Sequence, residues 1–381
     1  MTNKPSSFVN KKLGDIIELK YGKGLPKRLR KPGQFPVYGS GGVVDFHNEA
    51  LVSGPGIVVG RKGSIGTVFY EKNDFYPIDT VFFVVPKSED LDFYYLSKLL
   101  DQVGFQNLNT DAAVPGLNRE VALQQEVKIP PILTQRKIAA ILSAYDDLIE
   151  NNLRRIKILE EMARTIYREW FVKFRFPGHE KVRMVDSPLG KIPEGWEVST
   201  VGDNITVVSR KNKIKTSDYL TEGVIPVIDQ GKDFIAGFVD DTSLAYDGPL
   251  PIIVFGDHTC VLKWVDFRFA VGADGTQLIL PSHPEKLPPI FLFYTLQFLP
   301  IKQFGYQRHF KYLKEAKILL PPNSLTQKFN EVVNTQKNLI LNLRLKNLNL
   351  RRTRDLLLPK LISGEIDVSE LDIKIPDTER S

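Results

Sequence analysis

One cysteine, Cys260, stands among the 381 residues. An intramolecular disulfide is therefore excluded, and the chain reads as one for a reducing, cytoplasmic setting in which Cys260 is a small buried hydrophobe. Histidine is almost as scarce, with five residues and no HxxxH or CxxC spacing, so no structural zinc or hydrolytic metal site is expected. Long apolar runs are missing too. The longest, LPPIFLFYTLQFLP from Leu287, is interrupted by prolines and is shorter than the ~20 residues that cross a bilayer, so no membrane association is expected. The opening MTNKPSSFVNKK lacks the apolar core of a secretory signal.

The charge excess is modest. A net +6 and a pI near 9.0 are compatible with a polyanionic partner without establishing one. Basic and acidic groups nearly balance within residues 1–133 and within 176–325, so any cationic surface has to be local.

What the chain does have is an internal repeat. Leu13-Gly14-Asp15 returns as Val201-Gly202-Asp203, Pro36-Val37 as Pro226-Val227, Gly54-Pro55 as Gly248-Pro249, Pro130-Pro131 as Pro321-Pro322 and Thr134-Gln135 as Thr326-Gln327. The collinear offset of about 190 residues is too long for a solenoid and describes two similar domains in tandem. Short β-type runs separated by Gly, Pro, Asn and Asp make each one a mixed, strand-rich α/β head.

After each Pro-Pro the apolar period becomes 3.5. Ile141, Leu142, Tyr145, Leu148, Ile149, Ile156, Leu159, Met162, Ala163, Ile166 and Trp170 form one seam; Val332, Val333, Leu339, Ile340, Leu343, Leu350 and Leu357 form the other. Such steps describe coiled-coil helices. Thr134 and Thr326 suit N-cap positions, and Asn152 and Asn347 interrupt the seams where a polar residue can fix register. Two matched seams in one chain are most simply buried against each other. The expected fold is therefore α/β, a pseudo-two-fold dumbbell with strand-rich heads at 1–133 and 176–325. Two long antiparallel coiled-coil helices would join them, at 134–175 and, with the C-terminal tail, at 326–381.

Cations recur at equivalent places in the heads. KYGKGLPKRLRK supplies Lys20, Lys23, Lys27, Arg28, Arg30 and Lys31, and VSRKNKIK supplies Arg210, Lys211, Lys213 and Lys215. Paired basic loops in otherwise balanced heads point to phosphate contacts. GRKGSIG, with Arg61 and Lys62, lacks Walker spacing and reads as a hairpin turn; GDHT, with His258, takes its place in the second head. Later polar segments offer Asn107, Asn109 and Arg119 in the first head, and Arg308, His309 and Lys311 in the second. With Gln230, these are side-chain types that read base edges.

The segments IPPILTQRKIAAILSAYDDLIENN, EEMARTIYREWFVKFRFPG, SPLGKIPEGW, VFGDHT and LLLPKLISGEI resemble the DNA-specificity subunits of type I restriction-modification systems. The resemblance implies two target-recognition domains reading the halves of a bipartite, asymmetric site in double-stranded DNA. It implies two DNA-adenine methyltransferase subunits docked on the helices, with a restriction and translocating subunit joining for cleavage. Candidate docking residues are Arg154, Tyr167, Trp170 and Phe171 on the first helix and Arg351 and Arg352 on the second. No catalytic residues or cofactor are expected in this chain itself. A single-chain methyltransferase would show an Asn/Asp-Pro-Pro-Tyr/Phe motif, whereas the Pro-Pro pairs here read IPPI, LPPI and LPPN. A nuclease would need clustered acids with a lysine, for which DVSELDIK from Asp367 is the nearest match. A plain coiled-coil scaffold leaves the paired basic loops unexplained.

Overall fold

The structure, a computed structural model, describes residues 8–108, 116–209, 213–272, 275–301 and 308–375. The chain divides into two compact units, residues 1–153 with 344–381 and residues 154–343. No helix among the described residues is long and apolar enough to cross a membrane.

In the first unit a four-stranded antiparallel sheet runs in the order Ile17–Tyr21, Val81–Pro86, Gly56–Gly60, Val68–Glu71. A second sheet orders Gly42–His47, Phe35–Gly39 and Tyr76–Pro77, the last pair parallel. The helix Phe93–Gln102, capped by the Asp92 carboxylate on Tyr95 N, packs Tyr95, Leu96, Leu99 and Leu100 into the core. Strands Val9–Lys12 and Glu126–Ile129 pair, and the latter leads into the long helix Ile132–Tyr167.

The second unit repeats this plan. Its four-stranded sheet orders Ile205–Val207, Thr276–Pro281, Ile252–Gly256, Leu262–Val265; its three-stranded sheet orders Gly237–Val239, Ile225–Ile228, Ala270–Val271, the last pair again parallel. Glu197–Thr200 pairs with Lys317–Leu320 ahead of the long helix Asn323–Ser363. The repeat read from sequence is therefore a repeat of topology. One match shifts: the third sheet strand follows Pro55 in one unit and Pro251 in the other, so Pro251, and not Pro249, is the counterpart of Pro55.

Each unit contains a stretch of both long helices, and in each they run antiparallel. In the first unit Asp146 meets Arg354 and Asn152 meets Asn347; in the second, Ile156 packs with Ile340 and Leu343, and Tyr167 with Phe329. The buried seam of the first helix runs through Ile138, Leu142, Ile149, Asn152, Ile156, Ala163 and Tyr167. Leu148, Met162, Val332 and Leu339, expected in the seams, are exposed instead, because a narrow 3.5-residue stripe buries fewer positions than the apolar sequence offers.

The helix starts also differ from expectation. The helices begin at Ile132 and Asn323, ahead of Thr134 and Thr326, which are buried in the first turn. Thr326 Oγ1 donates back to Asn323 O at 2.9 Å rather than capping an N–H. It is the neighbouring glutamine that ties each helix to its head: Gln135 Nε2 donates to Pro130 O and Asp90 O and its Oε1 accepts from Asp92 N, while Gln327 Nε2 donates to Glu285 O. At the other end the first α-helix stops at Tyr167, short of the expected 175, and passes into a π-helical turn, Arg168–Val172. Phe171 there packs edge-on to Phe291, with ring centroids 4.7 Å apart.

Candidate nucleic-acid interface

In the first unit the basic stretch is a folded loop following the strand Ile17–Tyr21. Arg30 is its anchor: Nε donates to Leu25 O at 3.1 Å and Nη1 pairs with Asp45 at 3.2 Å. A hydrogen bond from Phe46 N and the Arg30 contact hold the Asp45 carboxyl below the usual carboxylate range. Lys31 N donates to His47 Nδ1, fastening the end of the loop to the neighbouring hairpin. With the backbone so fixed, Lys23, Lys27, Arg28 and Lys31 stand exposed, with no carboxylate within ion-pair distance among the described residues. Lys20 is exposed as well, 3.7 Å from Glu18.

GRKGSIG is the turn between the paired strands Gly56–Gly60 and Val68–Glu71, a hairpin connection. Arg61 N and Lys62 N both donate to Thr80 O, and Arg61 Nη2 donates to Asp79 O at 2.8 Å. Leu117 N donates to Arg61 O at 2.9 Å, which brings the segment carrying Arg119 alongside this turn. Arg119 opens the short helix Arg119–Leu123, capped by the Asn118 side chain on Glu120 N and Val121 N. Its guanidinium contacts the Glu120 carboxylate at 2.9 and 3.1 Å. Asn107 is exposed at the end of a 3-10 turn. Asn109 lies outside the described residues.

Tyr21 was not singled out on sequence, and the structure draws attention to it. It is 53% exposed, yet its ring lies 5.0 Å from that of Phe82 and has the guanidinium carbons of Arg61 and Arg119 at 5.1 and 5.7 Å. The signal was an aromatic residue inside the run KYGKGLPKRLRK, overshadowed by its cations.

In the second unit Lys213 and Lys215 are exposed on either side of Ile214, which bridges to Gly272; Arg210 and Lys211 fall outside the described residues. The turn after Gly256 is built differently. Asp257 is buried, its carbonyl accepts from His309 N at 2.8 Å and its carboxylate from Phe310 N at 2.8 Å, so it holds the start of the helix Phe310–Glu315. His309 is fully buried and contacts Asp257 O through Nδ1, which removes it from any surface that reads bases. Gln230 Oε1 accepts from His258 N and its carbonyl accepts from Thr259, so the Gln230 amide is committed to shaping this turn. Arg308 and Lys311 are exposed, the latter 3.9 Å from Glu315. Lys263, absent from the sequence-based candidates, is buried beside Asp229 at 3.6 Å; burial pulls its ammonium pKa down and Asp229 partly opposes that.

Of the helix positions proposed for docking, Tyr167 and Phe171 are core residues. Tyr167 donates to Thr295 Oγ1 at 3.0 Å within an aromatic cluster with Phe291, Phe298 and Phe329. Neither leaves a surface to offer a partner. Trp170 is half-buried, whereas Arg154, Arg351 and Arg352 are exposed.

Comparison with known proteins agrees with this architecture. Residues 5–161 match the family model described as type I restriction modification DNA specificity domain. The specificity subunit of the type I restriction enzyme MjaIX from Methanocaldococcus jannaschii is 28% identical over 344 residues, covering 83% of this chain and 78% of the relative. The EcoR124I/EcoR124II specificity subunit from Escherichia coli is 32% identical over 118 residues, about 30% of either chain. The fold matches that of a type I restriction-modification S subunit from M. genitalium at a TM-score of 0.61 and 18% identity, over 95% of this chain and 98% of that one. With two copies of one head topology and two long helices that pair within each unit, the chain is similar in sequence and in fold to the DNA-specificity subunits of type I restriction-modification systems.

Proposed function

We propose that this chain reads a split, asymmetric site in double-stranded DNA, with residues 1–133 recognising one half and residues 176–325 the other. It carries no chemistry of its own and assembles with DNA-adenine methyltransferase subunits, two in number, and with a restriction and translocating subunit. The exposed Arg154, Arg351 and Arg352 and the half-buried Trp170 are the helix positions proposed for docking.

The observation that carries this reading is a difference inside a repeat. Both units build the same strand order, but the residues after the third sheet strand are Arg61-Lys62 in one and Asp257-His258 in the other. One scaffold presenting unlike side chains at an equivalent turn suits two different half-sequences. Affinity would come largely from phosphate contacts of the exposed lysines and arginines, and discrimination from a few base contacts worth ~1–3 kcal/mol each.

The test is co-expression of the full chain with its methyltransferase partner in a host without other adenine modification, followed by mapping of modified adenines. A motif in two parts with a fixed gap is the expected outcome. Methyl transfer by the chain alone, or a short continuous motif, would overturn the reading.

A further inference from the structure

The exposed ring of Tyr21 gathers cations in a way that phosphate binding does not require. Phosphate contacts can be met by flexible lysines at a surface, of the kind exposed at Lys23 and Lys62. Arg61 and Arg119 instead converge on one aromatic ring from two different segments, the hairpin turn and the short helix. Arg61 is the fixed member: its backbone and guanidinium are tied to Thr80 O and Asp79 O and it is half-buried. Arg119 is the more exposed one, with 42% of its side chain exposed and its hydrogen bonds, among the described residues, made to the adjacent Glu120, itself 69% exposed. A cation in the first turn also opposes the helix dipole, so the local helix gains nothing from it.

Resting on the DNA-reading function above, we propose that Arg119 donates two hydrogen bonds to a guanine in the major groove, and that Tyr21 is the positioning residue that holds its guanidinium. Guanine is the base whose O6 and N7 match a guanidinium edge. An exposed ion pair such as Arg119–Glu120 holds an arginine by less than roughly 5-fold, whereas a bidentate contact to guanine discriminates by roughly 5- to 150-fold. Arg119 therefore leaves Glu120 for the base. The cation–π contact with Tyr21 keeps the guanidinium over the ring while that exchange occurs. The Tyr21 hydroxyl plays no part in this arrangement, and the ring alone is needed.

The experiment maps modified adenines for the full chain co-expressed with its methyltransferase partner, comparing the native protein with Tyr21→Phe, Tyr21→Ala, Arg119→Lys and Lys23→Ala. Tyr21→Phe should keep the motif unchanged. Tyr21→Ala and Arg119→Lys should relax one guanine position in one half-site by roughly 5- to 150-fold, leaving the other half and the gap intact. Lys23→Ala should lower the extent of modification at every site without changing a letter of the motif. Arg119→Lys keeps both the charge and the ring, and it decides the matter even where Tyr21→Ala is too unstable to accumulate. An unchanged motif in Arg119→Lys, or relaxation at a base other than guanine, overturns this proposal and leaves the split-site reading standing. Failure of the native complex to produce a split motif overturns both.

Discussion

Asn152 donates from Nδ2 to Asn347 Oδ1 at 2.8 Å, and both side chains are buried in the seam where the two long helices pair within the first unit. Asn347 Nδ2 also reaches Ile149 O at 3.4 Å. Two amides facing each other satisfy what would otherwise be a costly polar interruption, and they do so in only one register. Asn152→Leu should destabilise the first unit by about 1–3 kcal/mol, since the buried Asn347 Oδ1 loses its donor. The double change to leucine should recover most of that loss. Thermal melts of the two single variants and the double, read as a double-mutant cycle, check both expectations. A double variant no more stable than either single one would show that the seam does not accept an apolar pair here.

Asp146 sits one face away in the same unit, receiving hydrogen bonds from Tyr94 Oη at 2.5 Å, Lys98 Nζ at 2.9 Å and Arg354 Nη1. Burial pushes its carboxyl upward, but these donors together outweigh burial and hold it below the ordinary carboxylate range. The folded pKa therefore lies below the unfolded value of about 3.9. Its contribution is complete above that unfolded value and disappears as pH falls through the folded one. Asp146→Asn should cost roughly 2 kcal/mol at pH 7. Melting temperatures measured between pH 2 and 7 should converge for the native and variant chains at the acid end; a constant gap across that range would assign the loss to packing and not to charge.

The repeat, the long helices and their antiparallel pairing were legible because each leaves a pattern along the chain: paired motifs, a 3.5-residue period and matched interruptions at Asn152 and Asn347. The role of the Thr-Gln pair was misjudged because a threonine near a helix start satisfies the N-cap rule, whereas a glutamine reaching across to Asp90 and Asp92 is a tertiary contact with no local signature. Tyr167 and Phe171 show the same limit. Their apolar-aromatic spacing suits an exposed docking stripe and a buried cluster equally, and packing against Phe291 and Phe329 decides between them. At the candidate interface the cations were visible as a run, but which of them are anchors was not. Arg30 became a loop anchor once Asp45 was brought beside it from the neighbouring hairpin.

That distinction separates two kinds of variant in the basic loop. Lys27 and Arg28 lie in the 3-10 turn Lys27–Leu29 and are exposed, so replacing both by alanine leaves the fold intact. If each contacts one phosphate, the slope of log K against log salt should become shallower by about 0.9 per residue, close to 2 for the pair, with sequence preference unchanged. Arg30→Ala should weaken binding by a different route, through loss of the Leu25 and Asp45 ties that shape the loop. Fluorescence anisotropy titrations of the assembled complex on duplex DNA across a salt series separate the two; an unchanged slope for the double variant would remove this loop from the phosphate contacts.

Gly22 sets the position from which both Tyr21 and Lys23 extend. Its Cα approaches the backbone of the Tyr76–Pro77 strand end so closely that a Cβ would stand 2.1 Å from Ile78 O and 2.5 Å from Pro77 O. Neither obstacle is the tip of a flexible side chain. Gly22 N donates to Val81 O and Lys23 N to Pro77 O, so the crossing is also fastened by hydrogen bonds on both sides. Gly22→Ala therefore has to move backbone, and a destabilisation of roughly 1–3 kcal/mol is expected, comparable to overpacking a core. The displacement falls on the end of the strand Ile17–Tyr21, carrying the ring that Arg61 and Arg119 contact. A complex with this substitution should lose discrimination in one half-site while the other half keeps its letters. Mapping modified adenines beside a thermal melt checks both parts: a variant that melts like the native protein and modifies the native motif would mean that the close approach at Ile78 relaxes without disturbing Tyr21.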